Sequence, residues 1–263
     1  MTLRLLSYNI RYGGAGRERE LLSVIRACDP DLVVLQEATR PGVVEHLARG
    51  ASMAQWGCVR GHSLGFLSRR RVAHFAWHRP RFSRHAFLEI APAGGDITII
   101  GVHLSAVHSA WTERRRAFEL RALLRTLQRR EPSCHALVGD FNTLSPGELL
   151  DVTKLPSRLR ALVWLSGGTI RFRTIRAVHE AGYLDGFRRH HASDPGFTFP
   201  TWDPHVRLDY LFVPAPYADR VLSCDVVTGA DVTRASDHLP LVADLWVDPP
   251  RPQPRERGRS SRP

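Results

Sequence analysis

Short apolar runs recur along the chain, and most of them end on a polar or charged residue. The run from Leu3 to Ile10 has the length and mix of a buried strand and gives way to Arg11-Tyr12-Gly13-Gly14, a loop signal. From Glu18 to Cys28 the period changes: Leu21, Leu22 and Ile25 share one helical face, and Pro30 stops the helix. Asp31 to Glu37 reads as a second buried strand, followed by a short helix around Val43 to Arg49. Shorter strand-like runs come next, at Leu64 to Leu67, Ala73 to Trp77 and Ala86 to Ile90, and then a strong strand from Ile97 to His103.

Thr112 to Arg130 carries the clearest helical period, with Ala117, Leu120, Leu124 and Leu127 in one stripe. Its other faces hold Arg114, Arg115, Arg116, Arg121, Arg125, Arg129 and Arg130, which read as a solvated face or a surface for a polyanion. His135 to Val138 is a strand, and Ser145-Pro146-Gly147-Glu148 has the form of a capping box with proline at the first helical position. Thr174 to Ala181 predicts a short helix, and Leu208 to Val213, Arg220 to Val227 and Leu239 to Val247 the last strands. Strands and helices are mixed, with several adjacent strand pairs rather than strict alternation, which predicts one layered α/β or α+β domain over residues 1–248. Residues 249–263 are rich in proline and arginine without apolar content and predict a disordered tail.

A chain of 263 residues buries a sizeable core without staples, and its 43% apolar and 24% charged content is that of a soluble globular protein. Cys28, Cys58, Cys134 and Cys224 form no CxxC pair, which excludes a zinc knuckle or a disulfide framework and predicts small buried hydrophobes. No basic segment with a long apolar run opens the chain, and no apolar run nears the roughly 18 residues of a membrane span, so a cytoplasmic monomer with no transmembrane segment is expected. The net charge of +11 suits a polyanionic partner, but Lys154 is the only lysine among 37 basic residues, a skew equally consistent with genome base composition.

The polar ends of the apolar runs carry the chemistry. Cleaving a phosphate ester requires charge neutralised on phosphoryl oxygens, an activated water and help for the leaving oxygen. Mg²⁺ prefers oxygen ligands and needs only one or two protein carboxylates. Glu37, Asp140, Asp209 and Asp237 supply carboxylates at or near strand ends, with Asn9 and Asn142 as neutral partners. His103 and His238 stand in similar places, suited to bonding phosphate or moving a proton, and Asp209 is placed to fix the His238 tautomer. Each is weak alone, since an Asp after a strand is usually a turn residue; the set in this order points to a metal-dependent phosphoesterase.

The same segments resemble the endonuclease/exonuclease/phosphatase superfamily, which includes deoxyribonuclease I, exonuclease III, neutral sphingomyelinases and inositol phosphatases. The resemblance is carried by Ser7-Tyr8-Asn9-Ile10, Asp31 to Glu37, Gly101-Val102-His103-Leu104, Gly139-Asp140-Phe141-Asn142-Thr143, Arg207-Leu208-Asp209-Tyr210 and Ser236-Asp237-His238-Leu239-Pro240-Leu241. It implies a four-layer sandwich, two mixed β-sheets face to face with helices outside. It implies Mg²⁺ or Mn²⁺ held chiefly by Glu37, with Asn9 and Asp237 close by. It further implies that Asp140 orients or deprotonates the attacking water, that Asn142 and His103 bond phosphate oxygens, and that His238 with Asp209 stabilises the transition state.

Departures narrow the reading. The segments around Gly101-Val102-His103-Leu104 and Phe197 to Pro204 differ from abasic-site nucleases, and Asp209-Tyr210 stands where inositol phosphatases have Asp-Arg. Deoxyribonuclease I pairs its middle histidine with a glutamate from an earlier strand, and no acidic residue lies between Val59 and Leu88 here. His103 is therefore expected to bind phosphate rather than donate a proton. The substrate is expected to be a phosphodiester: DNA, RNA, a phospholipid head group or a small ester. Two readings of other classes stand beside this one: a non-catalytic phosphate-binding module, and a serine hydrolase with Ser63 in Gly61-His62-Ser63-Leu64-Gly65 as nucleophile.

Overall fold

Alternation along the strands sorts side chains into layers. In β1 (Thr2–Asn9), Leu3 and Leu5 face one core while Leu6 and Tyr8 face another; in β2 (Leu32–Gln36), Leu32 and Val34 pair with the first set and Val33 and Leu35 with the second. The computed structural model describes residues 1–81, 83–106, 110–130, 133–148 and 172–249. Further strands are β3 (Gln55–Cys58), β4 (Leu64–Ser68), β5 (Val72–His78), β6 (Phe87–Pro92), β7 (Ile97–His103), β8 (Cys134–Asp140), β9 (Tyr183–Asp185), β10 (Asp209–Pro214), β11 (Val221–Val226) and β12 (Leu241–Trp246). The described helices are α1 (Glu18–Cys28), α2 (Pro41–Gly50), α3 (Ala110–Gln128), α4 (Arg173–Glu180), α5 (Gly186–His190) and α6 (Ala230–Ala235).

Two six-stranded sheets form, in the orders β11-β12-β1-β2-β4-β3 and β5-β6-β7-β8-β10-β9. Both are mixed: β1 with β2 and β7 with β8 are parallel, and the other pairs are antiparallel. Between them lies a core that includes Leu5, Val34, Phe66, Leu88, Ile99, Val138, Leu211 and Leu245. Outside the first sheet, α1, α2 and α6 cover Leu6, Tyr8, Val33 and Leu35; outside the second, α3 and α4 cover Ile100, Val102, Leu137 and Phe212. The four layers expected from the resemblance are present.

Each parallel pair needs a crossover, supplied by α1 and by α3. Both pairs deliver a polar strand end in register: Asn9 opposite Gln36, and His103 opposite Asp140. Asp209, first residue of β10, lies opposite Asp140 on its other side. Gly139 makes that spacing possible, since it sits at φ 141° and a Cβ there would lie 2.0 Å from the Val102 carbonyl oxygen.

Predicted elements and observed ones differ at their ends and in four places. β3, β9, α5 and α6 were not expected: β9 has 3 residues, α5 has 5, and β3 contains Gly57, all too short for a period to register. At Ser145 the capping box is half formed, with Glu148 Oε2 accepting the Ser145 N–H at 3.3 Å, and the residues after it lie outside those described. All of the expected tail except Pro249 also lies outside them. Among the described residues, no helix is long and apolar enough to cross a membrane. All four cysteines are free, three of them buried.

Gly139→Ala is expected to destabilise the protein by at least about 2 kcal/mol in urea unfolding. Gly42→Ala, in α2 with open space around its Cβ, should change stability by less than about 1 kcal/mol.

Candidate active site

The site is built where the ends of β1, β2, β7 and β8 meet the 236–238 segment. Asp140 is its centre. Its carboxylate is buried, accepting the Asn142 N–H at 2.8 Å on Oδ1 and, on Oδ2, the side-chain amides of Asn142 at 3.0 Å and Asn9 at 3.1 Å. Burial raises its carboxyl above the usual range, His238 opposes that, and Asp209 adds to it.

His238 is fixed from the other side. Its Nδ1 is 2.9 Å from Asp209 Oδ2, and its Nε2 is 3.8 Å from Asp140 Oδ2. Burial disfavours the imidazolium, yet the Asp209 and Asp140 carboxylates outweigh it and hold His238 protonated well above the ordinary histidine range. Asp209 is itself placed by Thr198, whose Oγ1 accepts the backbone N–H groups of Leu208 at 3.0 Å and Asp209 at 3.2 Å. Phe199 packs its ring 4.9 Å from the His238 ring.

His103 points its Nε2 at the same Asp140 oxygen from 3.9 Å. Burial, with the positive charges of His85 and His238, pushes its imidazolium down to about 3, so it is a neutral ring that offers a hydrogen bond rather than a charge. Its Nδ1 is buried with no protein partner among the described residues. Nearby, buried Glu119 of α3 pairs with His85 Nδ1 at 3.2 Å, and the His85 ring lies 6.3 Å from that of His103.

Glu37 follows β2 in a left-handed conformation, φ 56°. Its Oε1 accepts Asn9 Nδ2 at 3.4 Å and its Oε2 accepts the Tyr12 N–H at 2.5 Å. Asn9 Oδ1 accepts the Arg11 N–H at 3.0 Å, and its carbonyl is bonded by Ser236 Oγ at 2.6 Å, which ties β1 to the 236–238 segment. Asp237 lies at the edge, 3.3 Å from Arg11 Nε. Asn9, Glu37 and Asp140 therefore form one hydrogen-bonded chain, and Asp140, His238 and Asp209 form a second cluster; Asp237 joins through Arg11.

Two expectations change here. Both amide hydrogens of Asn142 are taken, by Asp140 and by the Leu104 carbonyl at 2.9 Å, so Asn142 orients Asp140 and has no free amide hydrogen for a phosphate oxygen. Ser63 is followed by strand β4 rather than a helix, so no nucleophile elbow exists.

Ligand atoms of Asp140, Asp209 and His238 lie within 4.8 Å of one another. In that cluster the imidazole is already engaged by Asp209 through Nδ1, and Mg²⁺ prefers oxygen ligands. The oxygen set around Glu37 fits a hard divalent cation better: Glu37 is a partly buried carboxylate with no arginine or histidine paired to it among the described residues, and Asn9 adds an amide oxygen.

Sequence reasoning missed the supports. Thr198 fixes Asp209. Buried Glu113 accepts Thr143 Oγ1 at 3.0 Å, the Thr174 N–H at 2.8 Å and Arg116 Nη2 at 3.0 Å, which anchors the loop carrying Asn142. Buried Arg207, already inside the Arg207-Leu208-Asp209-Tyr210 motif, bonds Asp185 at 2.5 Å and lies over the Tyr210 ring at 4.4 Å. Only the Arg-x-Asp spacing hinted at it.

No curated protein sequence matches the chain. A family model described as Endonuclease/Exonuclease/phosphatase family matches residues 6–238. The chain belongs to that family. Every activity in the name cleaves a phosphate ester, and the chain is a phosphoester hydrolase of this kind. Solved structures share the family fold at low identity. A 3′ phosphatase from Neisseria bound to a product DNA hairpin aligns with TM-score 0.67 and 17% identity over 93% of this chain and 99% of that one. An AP endonuclease from Archaeoglobus fulgidus aligns with TM-score 0.68 and 18% identity over 92% and 98%. A 3′-5′ exonuclease from Neisseria meningitidis aligns with TM-score 0.66 and 17% identity over 93% and 100%.

Asp209→Asn removes the charge that keeps His238 protonated. The His238 ring is expected to titrate at lower pH by proton NMR, and turnover to fall on the order of a hundredfold.

Proposed function

We propose that the protein is a Mg²⁺- or Mn²⁺-dependent phosphodiesterase acting on nucleic acid. The observation that carries this reading is the pair of imidazole Nε2 atoms, His103 at 3.9 Å and His238 at 3.8 Å, aimed at one Asp140 oxygen. Both distances are too long for a hydrogen bond and leave room for a bridging oxygen. A phosphoryl oxygen or the attacking water fits that gap.

The chain's own groups divide the work. His238, charged through Asp209, places a fixed positive charge beside the phosphoryl oxygens, where negative charge grows in the transition state. Asp140 takes the proton of the attacking water; its raised carboxyl is a better base than an ordinary aspartate. Asn9 and Asn142 hold Asp140 still, and neutral His103 contributes a hydrogen bond. Glu37 and Asn9 would hold the divalent cation, with Asp237 at the edge of that site. When bound, the cation neutralises phosphate charge and lowers the pKa of a coordinated water.

Nucleic acid as the substrate is supported by the positive charge of +11 and by the DNA hairpin in the similar Neisseria 3′ phosphatase. Its action as a monomer, with residues 1–248 as the catalytic unit, belongs to the same proposal.

Glu37→Gln, Asp140→Asn and His238→Ala are each expected to lower turnover of bis(4-nitrophenyl) phosphate and of DNA at least about a hundredfold. Ser63→Ala should retain full activity. EDTA should abolish turnover and Mg²⁺ or Mn²⁺ restore it. Full activity in chelator would remove the metal-dependent reading, and cleavage of the small diester with none of DNA or RNA would remove the nucleic-acid one.

A further inference from the structure

The most exposed large apolar side chains among the described residues are Tyr12 at 75%, Trp111 at 73% and Trp202 at 63%; the next, Leu222, is at 47%. These three come from separate parts of the chain, and each lies on a segment that bonds a site residue or its neighbour. Tyr12 donates its backbone N–H to Glu37. Trp202 follows Thr201, whose N–H bonds the Asp237 carbonyl at 3.0 Å and whose hydroxyl bonds the Ser236 carbonyl at 2.9 Å. Trp111 is the second residue of α3, two residues before Glu113, which holds Thr143 beside Asn142.

The backbone at Tyr12 is held against its preference. Arg11 and Tyr12 both have φ 49°, a positive-φ backbone disfavoured for side-chain-bearing residues by at least about 1 kcal/mol each. The bond to Glu37 helps maintain that geometry, and the result presents an aromatic ring to solvent on the residue bonded to the Glu37 carboxylate, with the Arg11 guanidinium 5.4 Å from the ring centre.

We infer that Tyr12, Trp111 and Trp202 form a rim of stacking plates that binds the unpaired bases of single-stranded nucleic acid on either side of the cleaved phosphate. This inference rests on the nucleic-acid reading and narrows it. Bases within a duplex have their faces covered by neighbours, so exposed plates engage unpaired or splayed bases. Charge complementarity supports the same occupant: beyond Trp111 the outward face of α3 carries exposed Arg114, Arg121 and Arg125, suited to the phosphates of a strand leaving the site. A lipid surface fits less well. Membrane-inserting rims are contiguous apolar patches, whereas Arg11 precedes Tyr12, Thr112 follows Trp111, and Thr201 and exposed Asp203 flank Trp202.

The test compares binding, with Mg²⁺ present, of three probes: a phosphorothioate oligothymidylate that resists cleavage, a phosphorothioate abasic strand of equal length, and phosphatidylglycerol vesicles. Tyr12→Ala, Trp111→Ala and Trp202→Ala are each expected to weaken oligothymidylate binding on the order of tenfold. Tyr12→Phe, Trp111→Phe and Trp202→Phe should recover most of it, and wild type and all variants should bind the abasic strand alike. Oligothymidylate binding unchanged in the alanine variants would overturn the rim, as would equal losses on both strands. Vesicle binding lost with oligothymidylate binding intact would assign the plates to lipid and overturn it too. If the wild type neither binds nor cleaves any nucleic acid while hydrolysing bis(4-nitrophenyl) phosphate, the nucleic-acid reading itself fails and the rim with it. Cleavage of strands by a wild type whose alanine variants match it removes the rim alone.

Discussion

A carboxylate out of contact with water must be met by donors, and Asp140 imposes that requirement on both sheets. It belongs to β8 of the second sheet, yet one of its donors is Asn9 at the end of β1 in the first, and the charged ring nearest it, His238, precedes β12 of the first. An unmet buried carboxylate costs several kcal/mol, so the sheets are held at the separation that satisfies it. The interaction that makes the group chemically useful is thus the one that sets the position of the strands around it. Asp209 completes the balance by charging His238, which in turn faces Asp140.

Backbone strain concentrates at the same place. Of the six described non-glycine residues with positive φ, Arg11, Tyr12, Glu37 and Asn142 border the site. Each is held by bonds to a neighbour that also belongs to the site: Arg11 to Asn9, Tyr12 to Glu37, Asn142 to Asp140. Such strain persists where surrounding bonds over-determine the conformation, and here it turns side chains and N–H groups toward the carboxylates. The support reaches deeper through Glu113 and Arg116, an ion pair buried under the Asn142 loop. Its worth lies in the geometry it imposes on Thr143 and on the start of α4, because burying both charges offsets most of their attraction.

Much of this was legible residue by residue. The apolar runs at Leu3 to Ile10 and Ile97 to His103 announced strands because their side chains must be buried on both faces, and the polar residue ending each run announced a site. The helix at Glu18 to Cys28 was legible because its apolar positions recur at the helical period. β9 and α5 were not, because 3 and 5 residues hold too few repeats to show one. Thr198 and Glu113 were invisible as supports, since a threonine after an aromatic or a glutamate in a basic helix has no local signature of what it will bond. Asn142 was recognised as part of the site, but its role changed once the structure showed its two amide hydrogens already taken.

The sequence alone therefore determined the layered α/β architecture and the phosphoester-hydrolase class, and pointed to the strand ends proposed to carry the chemistry, because periodicity and residue type are local properties. Tertiary structure decided which groups act on one another. His238 is paired with Asp209, 29 residues away, and Asp140 takes a donor from Asn9, 131 residues away. Charge state and convergence depend on distance and burial, and neither quantity exists until the sheets have packed.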